Sequence, residues 1–190
     1  MYDSCANTAK LRAKRTAGGN VLHKRYMKFA IDHVFAGVSC PAYEALYFDE
    51  SFNSDVSRAL CMGRTLLRLD RGADQIVRHV GFEPARAAGA AIDQAYGASR
   101  ASFVEELVYD VRARRGEWRT IPNRFAERVK TTGTIEFIDE RGGTRRVVRG
   151  VVRVSLFGFG GIVERMIVGE IEKNYAATTE LTNAYLAKSR

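Results

Sequence analysis

Three side chains in strand-like segments have the chemistry of acid–base or ligand-anchoring groups. Glu105 and Tyr109 lie on one face of an alternating segment whose other members on that face are apolar. If this face lines a cavity, the Glu105 carboxylate is desolvated and can anchor or protonate a ligand. Alternatively, Glu105 lies near a strand end and reaches water or an arginine. His33 occupies the apolar face of the first strand, either as an acid–base group or as a hydrogen-bonded structural histidine.

Two further positions could meet the polar end of a ligand. The facing of the segment that contains Arg78 and His79 is ambiguous, and an inward Arg78 would suit a carboxylate or phosphate group. Asn174 interrupts the apolar stripe of the last helix. With Thr178 one turn later, it either offers hydrogen bonds to a ligand or bonds to backbone and water.

Other chemistries have little support in the sequence. The histidines and the three cysteines, Cys5, Cys40 and Cys61, lack metal-ligand spacing, so neither a metal nor another cofactor is predicted. No serine or cysteine lies in a nucleophile elbow. The glycines at 158, 160 and 161 match neither phosphate-binding fingerprint and are explained by a tight bend. An odd number of unpaired cysteines favours a reducing compartment, which indicates a cytoplasmic protein.

The formal charge of +8 belongs mostly to the N-terminus. Residues 1–26 hold six basic residues and one acidic residue, which leaves +3 for the rest of the chain. We therefore predict a disordered basic tail over residues 1–26, a folded domain over 27–190 and no nucleic-acid partner. Arginines also cluster in late strands and turns, where they meet anionic lipid head groups or form a solvated, acid-paired face. These are Arg112, Arg114, Arg115, Arg119, Arg145, Arg146, Arg149 and Arg153.

Hydrophobic periodicity predicts one mixed α and β domain. Alternation indicates a strand over Met27 to Phe35, followed by a short helix that Ser39 caps. A second short helix is expected from about Phe52 to Leu60, entered through Asp49, Ser51 and Asn53. About six strands joined by glycine-containing turns follow, up to Phe157, while residues 85–99 fit either a short helix or an irregular crossing. Sequential hairpins form an antiparallel sheet, one face of which must be covered.

A long C-terminal helix is the element that can cover this sheet. From Gly158 to Leu186 the spacing predicts six to seven turns with one apolar stripe. The stripe contains Val163, Ile167, Ile171, Thr178, Leu181 and Tyr185, flanked by Met166 and Tyr175. The opposite face is expected to carry Glu164, Arg165, Glu172, Lys173, Glu180 and Lys188.

The segment from Arg145 to Leu186 resembles the START-like, or helix-grip, superfamily (SRPBCC), which includes pollen-allergen-like proteins, polyketide cyclases and lipid-transfer domains. The likeness lies in a valine-rich strand, the bend Phe157-Gly158-Phe159-Gly160-Gly161 and the helix opening Ile162-Val163-Glu164. Trp118 and the strand ending Thr134-Ile135-Glu136-Phe137 add to it. The sequence is most similar to uncharacterised bacterial START-like proteins and then to sterol-binding VASt-type domains. The resemblance implies a curved antiparallel sheet of about six to seven strands around the terminal helix, with a ligand cavity between them.

These observations lead to a first hypothesis, a cytoplasmic protein that binds a lipid or other hydrophobic small molecule and transports or senses it. The expected lining comprises Phe29, Ile31, His33, Leu67, Phe103, Glu105, Leu107, Tyr109, Thr131, Ile135, Val152, Met166, Ile167, Ile171 and Asn174. The short helices around Tyr43, Tyr47 and Phe52 are expected to border the entrance. The alternative is a cyclase- or aromatase-type enzyme with His33, Glu105 or Tyr109 in acid–base roles. Transient contact with an anionic membrane surface is a third expectation.

Overall fold

The described part of the chain is an α+β domain with seven strands and three helices. The computed structural model describes residues 26–84, 102–156 and 159–188. The elements in chain order are β1 (Met27–Ala36), α1 (Cys40–Tyr47), α2 (Glu50–Ala59), β2 (Met62–Arg71), β3 (Gln75–Pro84), β4 (Phe103–Asp110), β5 (Arg115–Pro122), β6 (Val129–Glu140), β7 (Gly143–Val154) and α3 (Gly160–Lys188). This order confirms the predicted fold class. The expected tail up to residue 25 and the undecided segment 85–99 lie outside the described residues.

All seven strands form one curved antiparallel sheet. Its order is β1-β7-β6-β5-β4-β3-β2, so β1 closes onto β7 while every other neighbour follows in sequence. Directly paired residues of an antiparallel sheet point to the same face. One row therefore runs from Arg78 through Leu107 and Trp118 to Gly133 and Gly150. This row belongs to the concave face, against which α3 packs through β1 and β7.

Capping side chains determine where the two short helices begin. The Ser39 hydroxyl accepts a hydrogen bond from the Ala42 amide at 3.4 Å, with Pro41 in the first turn. The Asp49 carboxylate accepts one from the Phe52 amide at 2.6 Å. Both interactions satisfy amides that have no partner within the helix. The first helix therefore begins where the sequence indicates, and the second begins at Glu50, two residues before the predicted Phe52. Both lie on the concave side of the sheet.

Two paired glycines make room for large aromatic rings on the concave face. Gly133 of β6 lies directly opposite Gly150 of β7. A Cβ atom at Gly133 would lie 2.5 Å from Cζ2 of Trp118, and one at Gly150 would lie 2.5 Å from Cε1 of Phe29. The indole and the Phe29 ring thus rest on bare backbone, with ring centroids 6.2 Å apart. We call this pair of glycines the glycine saddle.

The sequence placed several polar side chains on the wrong face. Glu164 was expected on the solvent face of α3, but it is 4% exposed and accepts a hydrogen bond from the Val154 amide at 2.9 Å. The buried side of α3 is accordingly rotated by about one residue, through Val168, Thr179 and Thr182. Arg146, expected among the surface arginines, is 2% exposed and points inward.

Among the described helices, none combines the length and apolar content needed to cross a bilayer.

Candidate functional site

A cavity of about 210 Å³ lies between α2, strands β2 to β5 and the middle of α3. Much of its wall is apolar. The apolar part is formed by Val56, Leu60, Met62, Phe82, Phe103 and Ile171, with Trp118 and Tyr175 adding two more rings. Its volume is below the usual range for sites that enclose a drug-sized ligand, so the cavity suits a small molecule.

The polar part of the wall is centred on Glu105 and Arg78. The Glu105 carboxylate lies 3.4 Å from Nη2 of Arg78 and its side chain retains 22% exposure. Glu105 thus both lines the cavity and contacts an arginine, Arg78. Thr120 is the direct cross-strand partner of Glu105 and lines the same cavity. A carboxylate and a hydroxyl therefore lie side by side on the cavity wall.

Interactions with α2 and with Tyr47, the last residue of α1, hold both lining arginines. Arg78 donates to the Tyr47 carbonyl at 3.2 Å and to the Tyr47 hydroxyl at 3.1 Å. Burial raises the pKa of the Tyr47 phenol, so this hydroxyl stays neutral. Arg64 donates two hydrogen bonds to Glu50, at 2.5 and 3.0 Å. These contacts fix α2 over β2 and the end of α1 over β3, and so fix the width of the cavity.

Two buried donors in the cavity wall have no hydrogen-bond partner among the described residues. They are Nε of Arg78 and Nε1 of Trp118. Trp118 lies on the glycine saddle, which lets the indole lie close to the sheet beside the cavity. Buried polar groups nearly always have partners, so these two donors mark a part of the wall where a ligand or an ordered water could accept a hydrogen bond.

A second polar cluster lies behind the Tyr175 ring. It comprises Arg146, His33, Tyr43 and Thr179. Arg146 donates to the Thr179 hydroxyl at 2.9 Å and the Tyr43 hydroxyl at 3.2 Å, and its Nη2 lies 3.1 Å from Nδ1 of His33. Its guanidinium carbon also lies 4.9 Å from the centre of the Tyr175 ring. Burial raises the pKa of Tyr43 to about 12, so the phenol stays protonated at neutral pH.

The expected lining residues divide between the cavity and the core. Phe103, Glu105, Ile171 and Asn174 line the cavity. Others belong to the packed core or are buried beside it: Phe29, Ile31, Leu107, Tyr109, Thr131, Ile135, Val152 and Ile167. His33 lies in the cluster around Arg146, and Met166 is half-buried on α3 outside the cavity lining.

Leu67 was expected to line the cavity, but it is 55% exposed and does not face it. A β-bulge in β2 places the pairing irregularity between Leu66 and Arg68. The extra residue reverses the alternation along the strand. Leu66 and Leu69 consequently pair with inward-facing residues of β3, and Leu67 does not.

The three proposed acid–base residues do not converge on one point. Only Glu105 lines the cavity. Tyr109 is buried and donates to the Glu44 carboxylate at 2.6 Å, and burial together with this bond raises its pKa. His33 contacts Arg146 on the far side of Tyr175. Within the described ranges no group of three His, Cys, Asp or Glu side chains could hold a metal ion.

Several lining residues were missed by sequence reasoning. One wall of the cavity is formed by α2, through Asn53, Val56 and Ser57. The sequence placed this helix at the entrance, around Phe52, and not in the wall. Arg64 and Thr120 occupy inward positions of β2 and β5. The alternation of β5, and that of β2 before its bulge, would have indicated both positions. No pattern in the sequence fixes how close α2 comes to α3.

Comparisons with known proteins support the same architecture. Residues 120–186 match a family described as a protein of unknown function, DUF2505. No curated protein matches the sequence at a significant level. The structure is similar to TTHA0849 from Thermus thermophilus, with 14% identity, 84% of this chain and 99% of that chain covered and a TM-score of 0.59.

Two further similar structures have functional descriptions. The Zhui aromatase/cyclase from Streptomyces sp. R1128 is 12% identical and has a TM-score of 0.56, with 85% of this chain and 92% of that chain covered. A START superfamily protein from Mycobacterium smegmatis is 12% identical and has a TM-score of 0.51, with 87% and 99% covered. At these identities the likeness concerns the fold, which is START-like.

Proposed function

We propose that this START-like domain binds a small hydrophobic molecule of one or two rings that carries a hydroxyl or amine group. The supporting observation is the cavity of about 210 Å³ between sheet and helix, with one carboxylate in a largely apolar wall. Burying rings against Phe82, Phe103, Trp118 and Tyr175 supplies the affinity, because aromatic surface is removed from water. A two-chain lipid does not fit in this volume.

Glu105 supports a ligand with a hydrogen-bond donor. An ionised carboxylate is only an acceptor, and its two oxygens accept about four hydrogen bonds. Within the described residues, its one polar contact is the 3.4 Å approach of Arg78, which is long for a charged pair. Capacity therefore remains for a hydroxyl or amine of the ligand. The adjacent Thr120 hydroxyl can donate to the oxygen of the same ligand group.

The decisive experiment compares two ligands of equal shape, 2-naphthol and 2-methylnaphthalene, by calorimetry at pH 7.5. The hydroxyl replaces a methyl group, so apolar contact area hardly changes. A hydrogen bond to a charged group contributes about 1.5–3 kcal/mol. We expect 2-naphthol to bind roughly ten- to a hundredfold more tightly.

Variants of two neighbouring carboxylates provide the control. Glu105→Leu should abolish the preference for 2-naphthol and leave binding of 2-methylnaphthalene in place. Glu106→Leu removes a carboxylate from the opposite face of the same strand, where it pairs with Arg119, and should leave the preference intact. Failure of both ligands to bind would contradict the proposed function. Equal binding of both would contradict the donor requirement alone.

A cyclase- or aromatase-type reaction is the second candidate, supported by the likeness to the Zhui aromatase/cyclase. Glu105 is the acid–base residue that this reaction would use in the cavity. Loss of turnover in Glu105→Gln with unchanged substrate affinity would favour the enzyme.

Contact with an anionic membrane is tested by flotation with vesicles of differing anionic content, and binding indifferent to lipid charge would contradict it.

A further inference from the structure

The cluster around Arg146 holds a buried cation without an acidic partner. Arg146 is 2% exposed, and among the described residues no carboxylate lies within ion-pair distance of it. Three neutral groups and two rings hold it instead: the Thr179 and Tyr43 hydroxyls, the imidazole of His33, and the faces of Phe35 and Tyr175. The position of the guanidinium therefore depends on these groups staying neutral.

His33 is the neighbour whose charge can change near neutral pH. A guanidinium only donates, so Nδ1 of His33 must accept from Arg146 through its lone pair. Thr179 also lies 3.1 Å from Nδ1. The contact therefore requires a neutral imidazole with its proton on Nε2. Adding a proton at Nδ1 would place two donors and two positive charges 3.1 Å apart.

The other groups around His33 do not compensate for that charge. From β7 it faces Arg146, and α3 contributes the neutral Thr179, with Tyr175 stacked on the same guanidinium. From α1, the neutral Tyr43 contacts that guanidinium. On β1 itself, Asp32 favours the charged form, but its carboxylate is engaged by Arg145. Burial, and then Arg146, lower the pKa of His33.

We propose that His33 regulates the cavity: its protonation displaces Arg146 from Thr179 and Tyr175 and thereby weakens ligand binding. Tyr175 is the shared element, because one face of its ring contacts Arg146 and the residue also lines the cavity. Thr179 follows the lining residue Thr178 on the same helix. Movement of Arg146 therefore acts on the α3 side of the cavity. This inference rests on the proposed function and adds a condition to it.

The direction of the pH effect follows from linkage. A folded-state pKa below that of the unfolded chain means that the folded protein binds fewer protons. Stability is then highest above the usual histidine pKa and falls as the pH drops through it towards the lower folded value. If ligand binds only the neutral form, affinity falls by up to about tenfold for each pH unit below the folded pKa.

The test measures 2-naphthol affinity at pH 7.5 and 5.5 in three proteins. The unaltered protein should bind more weakly at pH 5.5, by up to about tenfold, since the folded pKa of His33 lies below its usual value of about 6.5 and at most one unit of titration falls in this window. His33→Gln keeps an acceptor for Arg146 without a titrating group, so its affinity should be nearly equal at both pH values. His79→Gln, on the opposite face of β3, should retain the loss. A pH-independent unaltered protein, or a His33→Gln variant with the full loss, would overturn the inference.

A second measurement separates this inference from the proposed function, because it needs no ligand. The backbone amide signals of Asn174, Tyr175 and Thr179 should shift with pH along the same curve as the His33 imidazole. In His33→Gln this shift should disappear, and in His79→Gln it should remain. If 2-naphthol binds at neither pH, the proposed function fails, and these signals still decide the inference. Amides of α3 that ignore His33 would overturn it.

Discussion

The glycine saddle provides the sharpest test of how the cavity is built. In a Gly133→Ala variant the new Cβ would lie 2.5 Å from Cζ2 of Trp118 and closer still to the carbonyl oxygen of Arg149. Ordinary carbon contacts are about 3.5–4.0 Å. The indole also lines the cavity, and the carbonyl belongs to the β6–β7 ladder. Both the core and the cavity wall must therefore shift.

The magnitude follows from the two contacts. Overpacking a core costs typically about 1–3 kcal/mol. Because one contact is with backbone, we expect the upper end, about 3 kcal/mol. For a domain of this size each kcal/mol lowers the melting temperature by about 2–4 °C. Gly133→Ala should thus melt roughly 6–12 °C below the unaltered protein and bind 2-naphthol more weakly.

The assay is urea unfolding followed by far-ultraviolet circular dichroism, with calorimetry for the melting temperature. Gly169→Ala is the matched control, since it makes the same change in α3 where nothing lies within 4 Å of the new Cβ. Because alanine favours a helix, this control should gain about 0.5–1 kcal/mol. A loss of unfolding free energy below about 1 kcal/mol in Gly133→Ala, with an unchanged urea m value, would show that the glycine does not make room for the indole.

Two further predictions concern contacts that position the cavity walls. Asp49→Ala removes the cap of α2 and should cost about 1 kcal/mol in urea unfolding, whereas Asp55→Ala, which removes an exposed pair with Arg58 on the same helix, should change little. Equal losses would contradict the capping role. Glu164→Leu leaves the buried Val154 amide without an acceptor and should cost about 1–3 kcal/mol, while Glu164→Gln keeps an acceptor and most of the stability. Equal effects of Leu and Gln would show that this bond does not hold α3.

The sheet was largely readable from sequence, because alternation in strands is a local property. In β4 it placed Glu105 on the cavity side, and in β7 it placed Val148 and Val152 in the core. The same alternation puts Arg146 inside, two residues before Val148. Its charge, read as a sign of solvent exposure, outweighed its position in the pattern. Burial of an arginine without a carboxylate depends on groups from three other elements, which no local pattern contains.

Two other expectations, the facing of Leu67 and the buried stripe of α3, differ from the structure for physical reasons. The bulge in β2 reverses the facing of Leu67, and nothing in the alternation marks where the extra residue lies. On α3, the buried stripe is rotated by one residue from the predicted apolar stripe. The reason is that Glu164 faces the sheet, where it accepts a hydrogen bond from the Val154 amide of β7. The cavity itself depends on how Arg64 holds α2, and Arg78 holds the end of α1, above the sheet. Such tertiary distances have no counterpart in sequence spacing.

Nuclear magnetic resonance with 2-naphthol shows directly whether a ring-bearing molecule occupies the space between the sheet and α3. Trp118 is the single tryptophan of the chain, so its indole Nε1–H gives one assignable signal. We expect saturable shifts of this signal and of the Ile171 methyl groups, with nuclear Overhauser contacts from the naphthol ring to Phe103. Contacts to outer-face residues such as Leu67 and Val108, or no saturable shift, would contradict this expectation.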